Sequence, residues 1–460
     1  MAIGYKQGWR NTGSGGAEQY WIRPTDWLPM PTVTSSQQTF VGLYAIIENS
    51  DNFASLLFTT DSGQYEVDWG DGTVDLVNSN TLAQHEYNFV TYDPTNSTLT
   101  TRGYKQAIIT VTPVSGDLLT CNFQTRFVTS PVQNQAYSTG FLDCILSMPS
   151  ASGGSSIIFG GVNATDPTLR HTYIERINFL NIGGCTVLDS LCQAMLSLQD
   201  FIISDTSAVT SMRRMFQQCT SLQVLPLFDT RFVTDMSVFC GTAGSLREIP
   251  LFDTRSVTNM TQAFSGCPIT EIPLLNTSNV TDMSSMFTNC LCLKTIPLFV
   301  TSSVSTMSGM FSGCSSLFEI PLLDTRNVTT MERMFFNCVS LQSMPLLNTL
   351  NVSTMSSMFS TVRSLNSIPA LLTSAINVDF GTSFAASSAS LNRCEMIFTR
   401  TVSFANCQLS ATAIEEIFTN LSNRTATTSA NINITSNWGA TALSAAQKLI
   451  ATSKNWTITG

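Results

Sequence analysis

Prolines stand at positions 226, 250, 273, 297, 321, 345 and 369, separated by 24, 23, 24, 24, 24 and 24 residues. The residues between them keep one order. Counted from each of the first six prolines, position +4 is Thr (Thr230, Thr254, Thr277, Thr301, Thr325, Thr349) and position +7 is Val. Position +10 is Met (Met236, Met260, Met283, Met307, Met331, Met355). Position +14 is Phe from Phe264 to Phe359, with Cys240 the exception, +17 is often Cys and +20 is Leu or Ile. A coil with Ile202 at the proline place precedes these, and a fainter one covers residues 178–201. A unit this short cannot bury an apolar face alone, so it must stack on its own copies, and like residues then pile into columns. The period therefore predicts a solenoid.

Within each coil, Met-x-x-Met-Phe has helical spacing and predicts a short helical turn. Leu-x-x-Ile-Pro-Leu alternates and predicts a strand that proline ends, with strands on successive coils about 4.8 Å apart. The threonine after it is expected to bond its own backbone through the hydroxyl. The methionine column reads as core, since Met fills uneven gaps. The chain has 13 cysteines, an odd number, and the in-phase ones read as buried free thiols. Cys290 and Cys292 have C-x-C spacing but no matching pair, which is weak evidence for zinc.

This register, with the core V-T-x-M-x-x-M-F-x-x-C-x-S-L, resembles the BspA-like leucine-rich repeats, also called the DUF285 repeat. The likeness covers residues 178–370, and departures occur at Phe239, Cys240, Ala243 and Val362. The resemblance implies extracellular surface proteins, often adhesins, that bind rather than catalyse. Candidate contacts are the residues that vary beside the predicted strand: Arg247, Glu248, Lys294, Phe318, Glu319 and Gln342. A second set lies at the following corner: Arg231, Phe232, Arg255 and Arg326. Solvent exposure alone would also let these positions vary.

Residues 63–75 read GQYEVDWGDGTVD, in which Tyr65, Val67 and Trp69 alternate before a Gly-Asp-Gly turn. With His85–Tyr87 and the alternating stretch 104–113, this resembles a PKD-type immunoglobulin-like β-sandwich over residues 39–116. That likeness implies a spacer or interaction module. Asp68, Asp71 and Asp75 are weak calcium candidates; a hydrogen-bonded turn is the preferred reading, with His85 a packed strand residue. Residues 1–38 hold Trp9, Trp21, Arg23 and Trp27 among prolines, an extended arm suited either to docking on another protein or to folding back on the sandwich. Residues 117–177 read as a connecting β and loop region. Residues 178–400 form the solenoid. Residues 401–460 read as strand and helix capping its end, with the strand around Trp456 closing the sheet edge. The expected fold class is thus mainly β with short helices.

Only 12% of residues are charged, the net charge is −9 and the pI is near 4.8. No basic cluster exists to neutralise phosphates, which argues against nucleic acid. No apolar run reaches the roughly 18 residues of a membrane span, and the start carries no signal-like apolar segment. Two histidines, His85 and His171, leave little for zinc sites or triads. No cofactor is expected. The aromatic arm followed by the sandwich also resembles tail or other virion-surface proteins of tailed phages. That resemblance implies a virion exterior reached by lysis without an export signal. It also implies homo-oligomeric or multi-copy assembly, with other virion proteins, a host surface protein or a glycan as partners. The alternative bearer is a bacterial or protist cell surface. A glycosidase would need two carboxylates across a cleft. Glu415 and Glu416 are adjacent and point apart on a predicted helix, while Asp229, Asp253 and Asp324 read as turn residues.

Overall fold

A computed structural model describes residues 21–48, 52–61, 63–93, 99–130, 133–137, 140–153, 157–160, 173–373, 378–381 and 383–460. Its N-terminal part contains β1 (Thr39–Ile47), β2 (Asn52–Thr60), β3 (Gln64–Asp68), β4 (Val74–Asn78), β5 (Thr81–Tyr87) and β6 (Tyr104–Pro113). There follow β7 (Leu118–Asn122), β8 (Arg126–Ser130), β9 (Gln133–Tyr137), β10 (Phe141–Ser147), β11 (Ser152–Gly153) and β12 (Ile157–Ile158). Next come β13 (Arg176–Asn181), β14 (Gly184–Cys185) and β15 (Asp200–Ile203). One sheet runs β15-β13-β10-β1-β6-β3-β4 and a second runs β12-β7-β2-β5. Strand β3 buries Tyr65 and Val67 and exposes the residues between, the period-2 pattern of a half-buried strand. The rings of Phe40, Phe58, Phe123, Phe141 and Phe159 fill the core, with Phe123 stacked on Phe159 at 4.0 Å. At Gly42 a Cβ would stand 2.5 Å from the Phe141 ring, so the ring needs a bare backbone there.

The described residues of the expected connector at 117–177 are part of this fold. Strands β7 and β12 complete the second sheet, and β10 sits between β1 and β13 in the first. Leu118, Cys121, Phe123, Phe141 and Phe159 are buried in the common core, although Gly- and Ser-rich loops mask the alternation in the sequence. Strand β10 pairs in parallel with β13, and β13 with β15. The sandwich sheet thus continues into the first two coils, and one apolar core extends from Phe40 to Trp456.

The solenoid's parallel ladder lies elsewhere than expected. Its bridges join Ser211, Asp235, Asn259, Asp282, Thr306, Thr330 and Thr354 in succession, the residue before each in-phase methionine. At the Ile-Pro-Leu phase, strands occur in β13 and β15, where Asn178 and Ile202 replace proline; the coils of Pro226 to Pro345 have none across the proline. Proline has no N–H for a ladder. The amides of Phe252, Leu275 and Phe299 bond the carbonyls of Pro250, Pro273 and Pro297 at 2.8, 2.8 and 2.9 Å, closing three-residue turns.

The Met-x-x-Met-Phe segment is likewise a series of turns rather than helix. Positions +12 and +16 adopt positive φ in coil after coil: Val238 and Thr242, Gln262 and Gly266, Ser285 and Asn289, Gly309 and Gly313, Arg333 and Asn337, Ser357 and Thr361. In the first five of these pairs and at Thr361 the N–H turns to the following coil, as Ser285 does to Ser308 at 2.8 Å and Asn289 to Ser312 at 2.7 Å. The amides of Met286 and Thr288 bond locally, three residues back. Left-handed backbone costs about 1–2 kcal/mol at an L-residue, and the inter-coil bond offsets it.

Inside, the six methionines are at most 1% exposed. Phe264, Phe287, Phe311, Phe335 and Phe359 stack with centroids 5.8–6.0 Å apart and planes within 16° of parallel, an offset stack. In the coil of Pro226, Phe239 sits one place early and Cys240 takes the Phe place, while Ala263 stands at the Phe239 position of the next coil. All three are buried, a large-for-small exchange that keeps the column filled. The threonines at +4 are buried, and their hydroxyls reach the next coil rather than their own backbone: Thr254 to Asn276 O at 2.8 Å and Thr277 to Val300 O at 2.8 Å.

Residues 402–459 continue the winding with longer coils. The strands Val402–Ser403, Ala430–Asn433 and Trp456–Thr459 form a parallel sheet. Between them lie α1 (Ala411–Asn420), capped by Ser410, and α2 (Ala445–Thr452), with a Ser444/Gln447 capping box. The strand Trp456–Thr459 is an edge of this sheet rather than its closure. Lys454 Nζ meets the carbonyls of Phe418, Thr419 and Leu421 at 3.2, 2.6 and 3.0 Å, placing a cation on the C-terminus of α1.

Val238, Thr242 and Thr361 are the β-branched residues among the left-handed positions, where such side chains are most strained, and Val238 lacks the hydroxyl that lets the two threonines bond the preceding carbonyl. Val238→Gly is expected to stabilise the fold by about 1 kcal/mol, seen as a higher melting temperature. A lower one would mean that packing of the valine outweighs its strain.

Candidate recognition surface

The backbone around the prolines decides which side chains leave the core. Position −1 (Ile249, Ile272, Ile296, Ile320) and position +2 (Phe252, Leu275, Phe299, Leu323) are buried. The leucine between, the centre of the three-residue turn in the coils of Pro250, Pro273 and Pro297, points outward. Leu227, Leu251, Leu274, Leu298, Leu322 and Leu346 are each 52–64% exposed and stand in register on six consecutive coils. The sequence shows this column, but a Pro-Leu-Leu triplet does not say which leucine faces water.

Arg247, Glu248, Lys294, Phe318, Glu319 and Gln342 are exposed beside it, as is Glu271. The amides of Lys294, Phe318 and Gln342 bond Thr270 O, Lys294 O and Phe318 O at 3.3, 3.2 and 3.0 Å, which aligns position −3 as a column. The corner set behaves differently. Asp229, Asp253 and Asp324 accept the amides of Arg231, Arg255 and Arg326 and pair with the same guanidiniums. These arginine hydrogen bonds hold the three carboxyls below their ordinary range. Such exposed pairs add little stability, but they set the arginines' direction. Phe232 is exposed, with the Arg231 guanidinium 5.7 Å from its ring.

The described part of the arm, residues 21–38, is turned inward. Trp27 is buried among Leu43, Ala45, Tyr104 and Leu142, and its indole donates to the Tyr104 hydroxyl at 2.6 Å. Arg23 Nε lies 2.8 Å from the buried Asp143 carboxylate, and its other nitrogens donate to the carbonyls of Trp27 and Leu28. Trp21 donates to Glu175, which also pairs with Arg102. The sandwich itself therefore uses these anchors, because β1 and β10 need an apolar cover on the face away from the second sheet. Trp9 lies outside the described residues.

In the Trp-Gly-Asp-Gly turn each aspartate has its own task. Asp68 accepts the Gly70 amide, Asp75 accepts the Trp69 indole at 2.8 Å, and Asp71 accepts the Thr73 amide and hydroxyl. Asp71 also lies 2.8 Å from His85 Nε2, whose ring stacks on Trp69 at 5.0 Å. Among the described residues no group of three His, Cys, Asp or Glu side chains is placed to hold a metal. The thiols of Cys290, Cys314 and Cys338 point at the carbonyls of Phe264, Phe287 and Phe311 in the preceding coil at 3.0–3.1 Å. Burial pushes Cys338 up to about 12 and Cys290 and Cys314 well above their ordinary value, so all three remain thiols. Cys292 is exposed and Cys290 buried, so the C-x-C pair does not converge. Glu416 pairs with Arg393, while Glu415 accepts from Gln447. Among the described residues no helix is long and apolar enough to cross a membrane.

Two outcomes follow from these positions. Leu274→Ser should change stability by no more than about 0.5 kcal/mol, while Leu275→Ser, one residue on and buried, should cost about 3 kcal/mol or more; thermal melts of the two variants check this. Burial works to raise the Asp71 carboxyl, but the Thr73 hydrogen bonds and the His85 ring hold it below its ordinary 3.8. Its contribution is complete above that value and is lost as pH falls through the lower folded-state value. Between about pH 5 and pH 3 the wild type should therefore lose more stability than Asp71→Asn, measured by denaturant melts at each pH.

The family model described as "Mycoplasma protein of unknown function, DUF285" matches residues 186–290 and 268–371. None of the curated proteins matches the chain. Among solved structures the chain is similar to a leucine-rich repeat protein from Eubacterium ventriosum ATCC 27560, at 16% identity over 55% of this chain and 91% of that one, with a TM-score of 0.28. The coils between residues 186 and 371 are thus repeats of the DUF285 kind, wound as a solenoid.

Proposed function

We propose that this is a non-enzymatic recognition protein shown on an external surface, with the leucine-bearing flank of the solenoid as its working face. The register of the six outward leucines carries the reading. Monomeric soluble proteins rarely leave large contiguous apolar patches in water unless something binds there. The inter-coil hydrogen bonds make the flank stiff, which lowers the cost of ordering on binding. Arg247, Lys294, Phe318, Glu319 and Gln342 border the strip and would supply its polar rim. The engagement of Glu415, Glu416 and the corner aspartates in structural contacts supports binding over hydrolysis.

The finer placement proposed is the exterior of a phage virion, as a tail fibre, spike or head decoration. There the sandwich, read as a PKD-type spacer, faces the particle and the solenoid meets a virion protein, a host protein or a glycan. The second setting is a bacterial or protist cell surface acting as an adhesin. The match of the coils to a family described from Mycoplasma favours it.

Immunogold labelling with an antibody against the repeats separates these settings. Label on the outside of purified particles supports the first, and label on intact cells supports the second. Label confined to permeabilised cells would remove the recognition reading.

A further inference from the structure

Strand β4 is an edge of the first sheet. It pairs with β3 in unbroken register from Asp68↔Val74 to Gln64↔Asn78, and among the described residues no strand pairs with its other side. The amides of Trp69 and Ser79 bond Thr73 O and Gly63 O at 3.1 and 2.7 Å, so the hydrogen-bonded pairs at the two ends are 69/73 and 63/79. Such pairs alternate along an antiparallel ladder. Asp75 and Val77 therefore bond β3, and the N–H and C=O groups of Val74, Leu76 and Asn78 point to the open side. Val74 and Leu76 are also 51% and 63% exposed. Sheet edges are ordinarily guarded by Lys, Pro or a bulge, and β4 has none of these. Its aspartate, Asp75, is turned to the Trp69 indole.

We propose that β4 binds an extended, cationic segment of a partner protein, which joins the first sheet as an antiparallel eighth strand. The charge around the edge selects this occupant. Residues 24–101 contain ten Asp or Glu and no Lys or Arg. Glu66 and Asp68 are exposed on β3 directly across from Leu76 and Val74. A cavity of about 310 Å³ at the turn that leads into β4 is lined by Asp71, Glu86 and Asp93.

In the added strand, residues opposite Val74, Leu76 and Asn78 lie on the outer face. A Lys or Arg there lays its stem over Val74 or Leu76 and carries its head toward Asp68 or Glu66, whose strand is about 10 Å away. The alternate residues face inward beside Val77, which packs against the core, and are best apolar. The favoured segment thus alternates basic and apolar residues; its main chain supplies affinity and its side chains specificity. A second copy suits the edge less, because pairing β4 with β4 sets one acidic segment against another with no Lys or Arg between them. The site lies on the sandwich and does not depend on the leucine flank.

Isothermal titration calorimetry of the full chain with the heptapeptide Lys-Val-Lys-Val-Lys-Val-Lys at low salt tests this. The dissociation constant is expected below about 1 mM. The same peptide N-methylated at its lysines keeps its charge but loses the N–H groups that face β4, and should bind at least about tenfold more weakly. Leu76→Pro removes an outward donor and no bond to β3, and should weaken binding about tenfold. Glu66→Lys should weaken it at least about threefold, and Leu274→Ser, on the solenoid, should leave it unchanged. Thermal melts confirm that each variant folds. Equal binding of the N-methylated peptide would reduce the effect to bulk charge attraction and overturn the proposal. No binding at about 1 mM, an unaltered affinity in Glu66→Lys or in folded Leu76→Pro, or weakened binding in Leu274→Ser would overturn it too. A wild-type dimer by sedimentation that Leu76→Pro dissociates would give the edge to a second copy instead.

Discussion

Every coil of this protein depends on the next one for its hydrogen bonds. At positions +10, +12, +14 and +16 the backbone N–H points along the solenoid axis to a carbonyl on the following coil, as from Met283, Ser285, Phe287 and Asn289. The buried hydroxyl at +4 and the thiol at +17 do the same with side chains, one reaching forward and the other back. Buried polar groups must be paired, so a lone coil would leave them orphaned as well as exposing its apolar columns. The ends of the repeat array follow from this need. At one end β10 offers β13 a ready-made edge, so the sandwich and the solenoid share a sheet. At the other, coils with true helices carry the winding on through Ala430–Asn433 and Trp456–Thr459.

Proline shapes the outer face by what it withholds. Where Asn178 or Ile202 holds its place, the backbone pairs as an ordinary parallel strand. From Pro226 onward the missing N–H removes the strand and one leucine per coil stands in water, at the centre of a three-residue turn in the coils of Pro250, Pro273 and Pro297. The ladder then depends on the opposite stretch, starting at the residue before each in-phase methionine, and the left-handed residues that follow let the chain turn tightly and still donate to the next coil. A flank freed from pairing and lined with leucine is what makes a recognition role physically sensible.

The solenoid was legible because strict periodicity leaves few alternatives: residues equal in phase must be equal in environment, and the buried Met, Phe, Cys and Thr columns obey this. What could not be read was the local conformation inside the period. Met-x-x-Met-Phe has helical spacing, yet two left-handed residues per coil replace helix, and only Gly266, Gly309 and Gly313 signal them plainly among Ser285, Arg333 and Val238. The charged residues beside the proline were identified as exposed, but the leucine column between them was not, since Leu274 and Leu275 are alike in sequence and opposite in burial. Trp21, Arg23 and Trp27 are as suitable for covering a sheet as for anchoring a partner. The bare outer face of β1 and β10, assembled from distant segments, takes them.

By itself the sequence determined the period, the composition of the buried columns and the need for neighbours, because these are properties of spacing and hydrophobicity along one chain. The tertiary structure alone decided where the ladder runs, which leucine faces water, that β7, β10 and β12 complete the two N-terminal sheets, and that one of those sheets continues into the first coils. Each of those depends on which backbone amides find partners across segments far apart in the chain, and spacing along a single strand of sequence carries no record of such pairings.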